Sequence, residues 1–263
     1  MKSLRRGILL AVLVVVTLCT TAAWAVDWSH LHLLAGDTTA AAEWYAKHFD
    51  GKPGKMGSMD MATFGDKAIL FRKGKEDLKG SVGSVLDHIG FSVPDVAAKM
   101  DELKTAGVKV VMDTRKIDRA NLTIAFVEDP WGTKIELVDD KDTLGFHHVH
   151  LEVADPKAAV EWFTKVLGAE DSGQYRKLLP AVRYGDVWVL ISKAPENAKR
   201  VPSEGRSLDH FGVGYADLDA AAEELKAKGV KFTVEPRPYG PAKIAFIEGP
   251  EGVKIELVQP PAR

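Results

Sequence analysis

The sequence predicts an α+β protein of four βαβββ units arranged as two tandem domains. Three observations carry this. Histidine, six residues and then aspartate recur four times, at His30–Asp37, His88–Asp95, His148–Asp155 and His210–Asp217. Each gap holds an apolar, strand-like run, and helical spacing follows it. Residues 30–138 also match residues 148–258. Glu43-Trp44-Tyr45 answers Glu161-Trp162-Phe163, and Phe64-Gly65-Asp66 answers Tyr184-Gly185-Asp186. Leu86-Asp87-His88 answers Leu208-Asp209-His210, and Lys134-Ile135-Glu136-Leu137-Val138 answers Lys254-Ile255-Glu256-Leu257-Val258. The offsets are 118, 120, 122 and 120, so only small insertions separate the copies.

In chain order, Lys2, Arg5 and Arg6 open a basic start, residues 8–16 are apolar, and Ala23-Trp24-Ala25 is a small-x-small site. This pattern predicts a signal peptide over residues 1–25 and a periplasmic or secreted product. The apolar run falls short of the ~20 residues a membrane span needs. Leu18 precedes Cys19, whereas a lipid-modified cysteine follows a small residue. Cys19 is the only cysteine, so a cleaved chain would have no disulfide, thiolate ligand or cysteine nucleophile.

The first domain is expected over 26–140. Residues 31–34 read as a strand, 38–49 as a helix with Trp44 and Phe49 on its apolar side, and 59–64 and 68–72 as short strands. The second unit gives a strand at 89–93 and a helix at 96–105 stopped by Gly107. Strands follow at 108–112, 122–127 and 133–138. Residues 139–145 form a short charged junction. The second domain, 145–260, runs the same course, with Pro156 in a first helical turn. The four aspartates stand where helix caps belong, each worth about 1 kcal/mol.

The chain is 46% hydrophobic, with 35 basic and 37 acidic residues and a net charge of −2. Loss of Lys2, Arg5 and Arg6 takes that to −5. No basic stripe appears, so nucleic acid is not an expected partner. A small molecule is, with no membrane contact after signal cleavage and a monomer or homodimer as the assembly.

The units, the His at each opening strand, and the closing runs Asp129-Pro130-Trp131-Gly132-Thr133-Lys134-Ile135-Glu136-Leu137 and Gly249-Pro250-Glu251-Gly252-Val253-Lys254-Ile255-Glu256-Leu257 resemble the vicinal oxygen chelate superfamily. That superfamily contains glyoxalases, extradiol dioxygenases, epimerases and bleomycin-resistance proteins. The resemblance implies that two units curl into a cup with a divalent metal at its floor. It implies one ligand set of His30, His88 and Glu136 in the first domain and another of His148, His210 and Glu256 in the second. Imidazole and carboxylate suit Fe(II), Mn, Ni, Zn or Co. A buried Glu within Lys-Ile-Glu-Leu-Val is costly unless paired or metal-bound.

Departures from the family pattern narrow the chemistry. The strand that supplies a fourth ligand in glyoxalases reads Lys67-Ala68-Ile69-Leu70-Phe71 and Val187-Trp188-Val189-Leu190-Ile191, with no carboxylate or amide. Phe126 and Phe246 stand where ring-cleaving dioxygenases have a tyrosine, and phenylalanine transfers no proton. His32 and His150, two residues after the first ligands, face the same side of a strand. They are the catalytic candidates, as proton carriers, orienting groups or a fourth ligand. His147 should face the other way. Arg72, Arg183 and Tyr184 are the candidate substrate contacts, an arginine there suiting an anion.

The expected function is an exported metal-dependent lyase or dioxygenase acting on a small molecule chelated through adjacent oxygens. The alternative is a non-enzymatic small-molecule-binding protein of the bleomycin-resistance type. A further expectation, drawn from Gly249-Pro250 in place of Asp129-Pro130, is one working domain and one scaffold.

Overall fold

The computed structural model describes residues 26–261. The expected signal peptide lies outside the described residues. Among them, no helix is long and apolar enough to cross a membrane.

The first unit is β1 (Asp27–Ala35), α1 (Thr38–His48), β2 (Lys52–Met56), β3 (Met59–Phe64) and β4 (Lys67–Lys73). The second is β5 (Leu86–Ser92), α2 (Val96–Thr105), β6 (Lys109–Ile117), β7 (Leu122–Glu128) and β8 (Lys134–Val138). The third is β9 (Gly145–Val153), α3 (Pro156–Lys165), β10 (Glu170–Tyr175), β11 (Leu179–Tyr184) and β12 (Val187–Lys193). The fourth is β13 (Leu208–Gly214), α4 (Leu218–Ala227), β14 (Lys231–Tyr239), β15 (Ala242–Glu248) and β16 (Lys254–Gln259). The α+β class and the four units are therefore as the sequence predicts. The strands β2 and β10, exposed and rich in polar residues and glycine, carried no alternating pattern to announce them. Asp37, Asp95, Asp155 and Asp217 each accept a backbone N–H from the first helical turn, as expected of caps.

The units do not pair as the tandem order suggests. One sheet runs β14-β15-β16-β13-β1-β4-β3-β2 and joins the first unit to the fourth. The other runs β10-β11-β12-β9-β5-β8-β7-β6 and joins the second to the third. Each join is antiparallel, β1 against β13 and β5 against β9. Units adjacent in sequence share a core instead. From α1, Tyr45 packs on Phe71 of its own unit and Phe91 of the second, and its hydroxyl donates to Asp129 Oδ2 at 2.7 Å.

Alternation within the strands then sorts the faces. Leu31, Leu33 and Ala35 of β1 join the helix-side core, leaving His30 and His32 on the opposite, concave face. Apolar burial, at about 25 cal/mol per Å², therefore fixes where the histidines point.

Candidate metal centres

Two clusters of ligand-type side chains form, one per sheet. His30, His32, His210 and Glu256 converge on the first, His88, Glu136, His148 and His150 on the second, with one ligand atom of each within 4.8 Å of the others. The expected sets were His30, His88, Glu136 and His148, His210, Glu256. The structure exchanges their first members, because each cup is one sheet and each sheet takes one unit from each tandem domain.

In the first cup Glu256 Oε2 lies 3.1 Å from His30 Nε2, 3.0 Å from His210 Nε2 and 3.8 Å from His32 Nε2. In the second, Glu136 Oε2 lies 3.3 Å from His88 Nε2 and 3.1 Å from His148 Nε2. His150 Nε2 instead meets Ser192 Oγ at 2.9 Å. Burial opposes ionisation of both glutamates. The flanking imidazoles, His148 and His88 for Glu136 and His210 and His30 for Glu256, outweigh it and hold both carboxyls well below the usual range. Burial lowers His148 to about 4, and burial with neighbouring imidazoles lowers His32 and His150 strongly. Ionised carboxylate and neutral imidazole are the forms that bind a cation.

Two devices hold these rings. Pairing passes from Leu86 to His88 on β5 while β9 advances one residue, from Leu151 to His150, so Asp87 is the extra residue of a bulge. Asp209 is its counterpart, between the pairs Leu33–Leu208 and His32–His210. The bulges bring Asp87 Oδ1 to 2.8 Å from His88 Nδ1, and Asp209 Oδ1 into contact with His210 Nδ1. Lys134 and Lys254 secure these aspartates at 2.6 and 3.1 Å. A carboxylate behind an imidazole fixes its tautomer and raises its basicity toward a metal. Asp87, Asp209 and the two lysines were not among the expected site residues, although Leu-Asp-His and Lys-Ile-Glu both recur. The second device is glycine. A Cβ on Gly212 would lie 2.5 Å from His30 Cε1, and one on Gly90 1.9 Å from His148 Cε1.

The remaining expected residues scatter. Arg72 lines the first cup, which opens into a cavity of about 310 Å³ with Met59, Leu70, Arg237, Tyr239 and Phe246. Arg183 sits over the Trp188 ring and pairs with Glu170 at 3.0 Å. Tyr184 is not a cup residue. It is buried in the helix-side core with Val182 and Val187, because it lies on the opposite strand face from Arg183. His147, expected to face away from the site, is fully buried, and its Nδ1 lies 2.8 Å from His148 Nδ1.

Residues 28–137 and 145–257 each match the Glyoxalase/Bleomycin resistance protein/Dioxygenase superfamily. The chain belongs to that superfamily. It is 28% identical over 190 residues to a probable chloroplastic lactoylglutathione lyase of Arabidopsis thaliana, covering 68% of this chain and 54% of the relative. The chain thus spans about half that relative's length. The lactoylglutathione lyase of Escherichia coli O157:H7 is 36% identical over 121 residues, which cover 43% of this chain and 90% of the relative. In fold the chain resembles glyoxalase I of Zea mays, with a TM-score of 0.74 and 21% identity over 90% of this chain and 93% of that one. Enzymes of this superfamily use divalent metals, and the two clusters offer the donors such a cofactor takes.

Proposed function

We propose that the chain is a divalent-metal-dependent enzyme whose reaction centre is the first cup, acting on a small anionic molecule held through adjacent oxygens. The single observation that carries this is a full donor set at the floor of an open cavity rimmed by arginine. His30, His210 and Glu256 would hold the cation, which when bound supplies Lewis acidity to substrate oxygens. Asp209, fixed by Lys254, keeps the His210 ring turned with Nε2 toward the cup. Arg72 and Arg237 face the cavity as fixed positive charges for a carboxylate or another anion. Leu70, Ile244 and Phe246 supply the apolar wall that limits water at the floor.

His32 is the proton carrier in this reading. Its low pKa keeps it neutral near pH 7, and its Nδ1 has no hydrogen-bond partner. A neutral imidazole with a free nitrogen at the cavity suits proton transfer between adjacent carbons, the chemistry of a lyase, better than ring cleavage. Phe246 beside His210 offers no proton for the latter. The names of the curated relatives favour the same class. They do not favour the non-enzymatic alternative.

Export remains part of the proposal, supported by the basic, apolar and small-x-small pattern of residues 1–25. An exported enzyme would meet little cytosolic thiol, so the substrate screen should include 2-oxoaldehydes with and without added thiol, and catechols. The test is removal of metal, then reloading with Fe(II), Mn, Ni or Zn. Activity on a 2-oxoaldehyde-derived substrate should return. His32→Ala should lower kcat by ~10²–10⁴-fold, the usual worth of a positioned base. Absence of metal uptake, or full activity in Glu256→Gln, would refute the proposal.

A further inference from the structure

The second cup has the same floor as the first and a different rim. With an offset of 120, Ala68 and Arg72 of β4 become Trp188 and Ser192 of β12, and Met59 of β3 becomes Leu179 of β11. On β15 and β7, Ala242 becomes Leu122. Where the first cup has its cavity, the second has an apolar cluster of Leu122, Tyr175, Ala181 and Leu190, with Leu178, Leu179 and Trp188 packed against it. Glu136 keeps 12% of its side chain exposed, so water reaches the floor. Two arginines near this rim are occupied, while Arg115 stands opposite Ile124 as Arg237 stands opposite Ile244. Arg183 pairs with Glu170, and Arg176 is bound to Asp140 and Asp142.

The ligand behind the rim is also held differently. In the first cup His30 Nδ1 meets only a hydroxyl, Ser29 Oγ at 3.0 Å. In the second the corresponding position is His147. With a cation taken by His148 Nε2, the ring proton would lie on Nδ1, 2.8 Å from His147 Nδ1, which would accept it. The His147 proton would then lie on Nε2, which stands 3.5 Å from Asp140 Oδ2. Asp140 is nearly fully buried and accepts from the Tyr175 hydroxyl at 2.8 Å as well as from Arg176. Arg176, Asp140, His147 and His148 thus line up from the surface to the cluster, and with a cation bound they would orient one ligand from behind.

We infer that the second cluster is a structural metal site, which retains a divalent cation and ties the second unit to the third, while turnover belongs to the first cup. His147 and Asp140 are its positioning residues. The inference rests on the proposed function for two premises, that such a donor set binds a cation and that turnover belongs to the first cup. It adds that the two cations differ in purpose and in exchange rate.

The experiment uses the full chain, stripped of metal and reloaded with Zn²⁺, with release followed by a chromogenic chelator. Two ions per chain are expected, one released at least tenfold more slowly than the other. Glu136→Gln should abolish the slow ion and the rise in melting temperature that it gives. Glu256→Gln should abolish only the fast one, and His147→Ala should speed slow release without changing stoichiometry. Trp188→Ala, a milder change at the rim, should also quicken slow release. Equal release of both ions, or a slow ion that survives Glu136→Gln, would overturn the inference. So would a single ion lost in Glu256→Gln, which leaves the first-cup reading intact. A single ion lost in Glu136→Gln would support the structural site and overturn the first-cup reading.

Discussion

Gly212→Ala isolates the geometry on which the first cup depends. The added Cβ would meet His30 Cε1 at 2.5 Å and Nδ1 at 2.7 Å. Ordinary carbon contacts begin near 3.4 Å, so the ring must retreat by about 1 Å. His30 Nε2 is 3.1 Å from Glu256 Oε2, and a retreat of that size takes it out of ligand range. The conformation of Gly212 does not require glycine, since its φ is not in the left-handed region. Crowding alone is therefore the perturbation. Overpacking of this kind costs about 1–3 kcal/mol. Displacing a ligand should weaken metal binding at least as much as loss of an outer-shell partner, which costs ~10–100-fold. Gly214→Ala on the same strand is the control, because its Cβ would meet nothing closer than Asp27 O at 3.8 Å. Metal affinity by chelator competition and melting temperature with and without metal are the assays. Gly212→Ala should lose both affinity and the metal-induced rise, and Gly214→Ala neither. Wild-type affinity in Gly212→Ala would refute the claim that close approach of His30 to the β13 backbone sets the site.

Two further outcomes follow from the same contacts. Asp209→Asn removes the anion behind His210 and leaves Lys254 without that partner, so metal affinity should fall by ~10–100-fold with the fold intact; unchanged affinity would show the bulge to be incidental. Metal-free protein should lose stability as pH falls from 7 to 4. His32, His148 and His150 are held below 6.5 in the folded state, so the unfolded chain binds protons there first. His148, lowered to about 4, alone contributes about 3 kcal/mol across that window. His48, also lowered by burial, adds to the trend, and Asp129, raised by burial to about 6, opposes it as one group against four. A flat profile of chemical denaturation midpoints over this range would contradict it.

The units were legible because each repeats a pattern that burial enforces, a two-residue alternation followed by a capped amphipathic helix. The ligand-bearing strands were legible for the same reason. Their pairing was not. Alternation says which face of β1 carries His30, but nothing in it says whether β5 or β13 lies alongside. The bulges were hidden too. Strict alternation sends Asp87 and Asp209 away from the histidines that follow them, and only the extra residue in the ladder brings them back. Gly90 and Gly212 did leave a signal, since glycine inside a strand marks close approach. The altered closing motif also has a local cause. Asp129 accepts from Tyr45, whereas at the matching positions Gly249 stands with Phe163, which has no hydroxyl to give. Gly249 is therefore no sign of a lost site.

That last pair bears on how the two cups diverged. Had the second simply decayed, its floor should have failed first, because ionised glutamate and packed imidazoles are costly to bury without a cation. Instead His88, Glu136, His148 and His150 remain together, with Asp87 and Lys134 behind them. Change is concentrated at the rim, where Ala68 gives way to Trp188, packed against Leu122, Tyr175 and Leu190. On the inference above, a tryptophan there would take room from a substrate and leave the metal ligands in place. Arg72, free to meet an anion, has only a serine as its counterpart, bonded to His150. On the proposed reading, the chemistry that reads a substrate lies in the rim and the chemistry that holds a cation lies in the floor, so a duplicated cup can lose the first and keep the second.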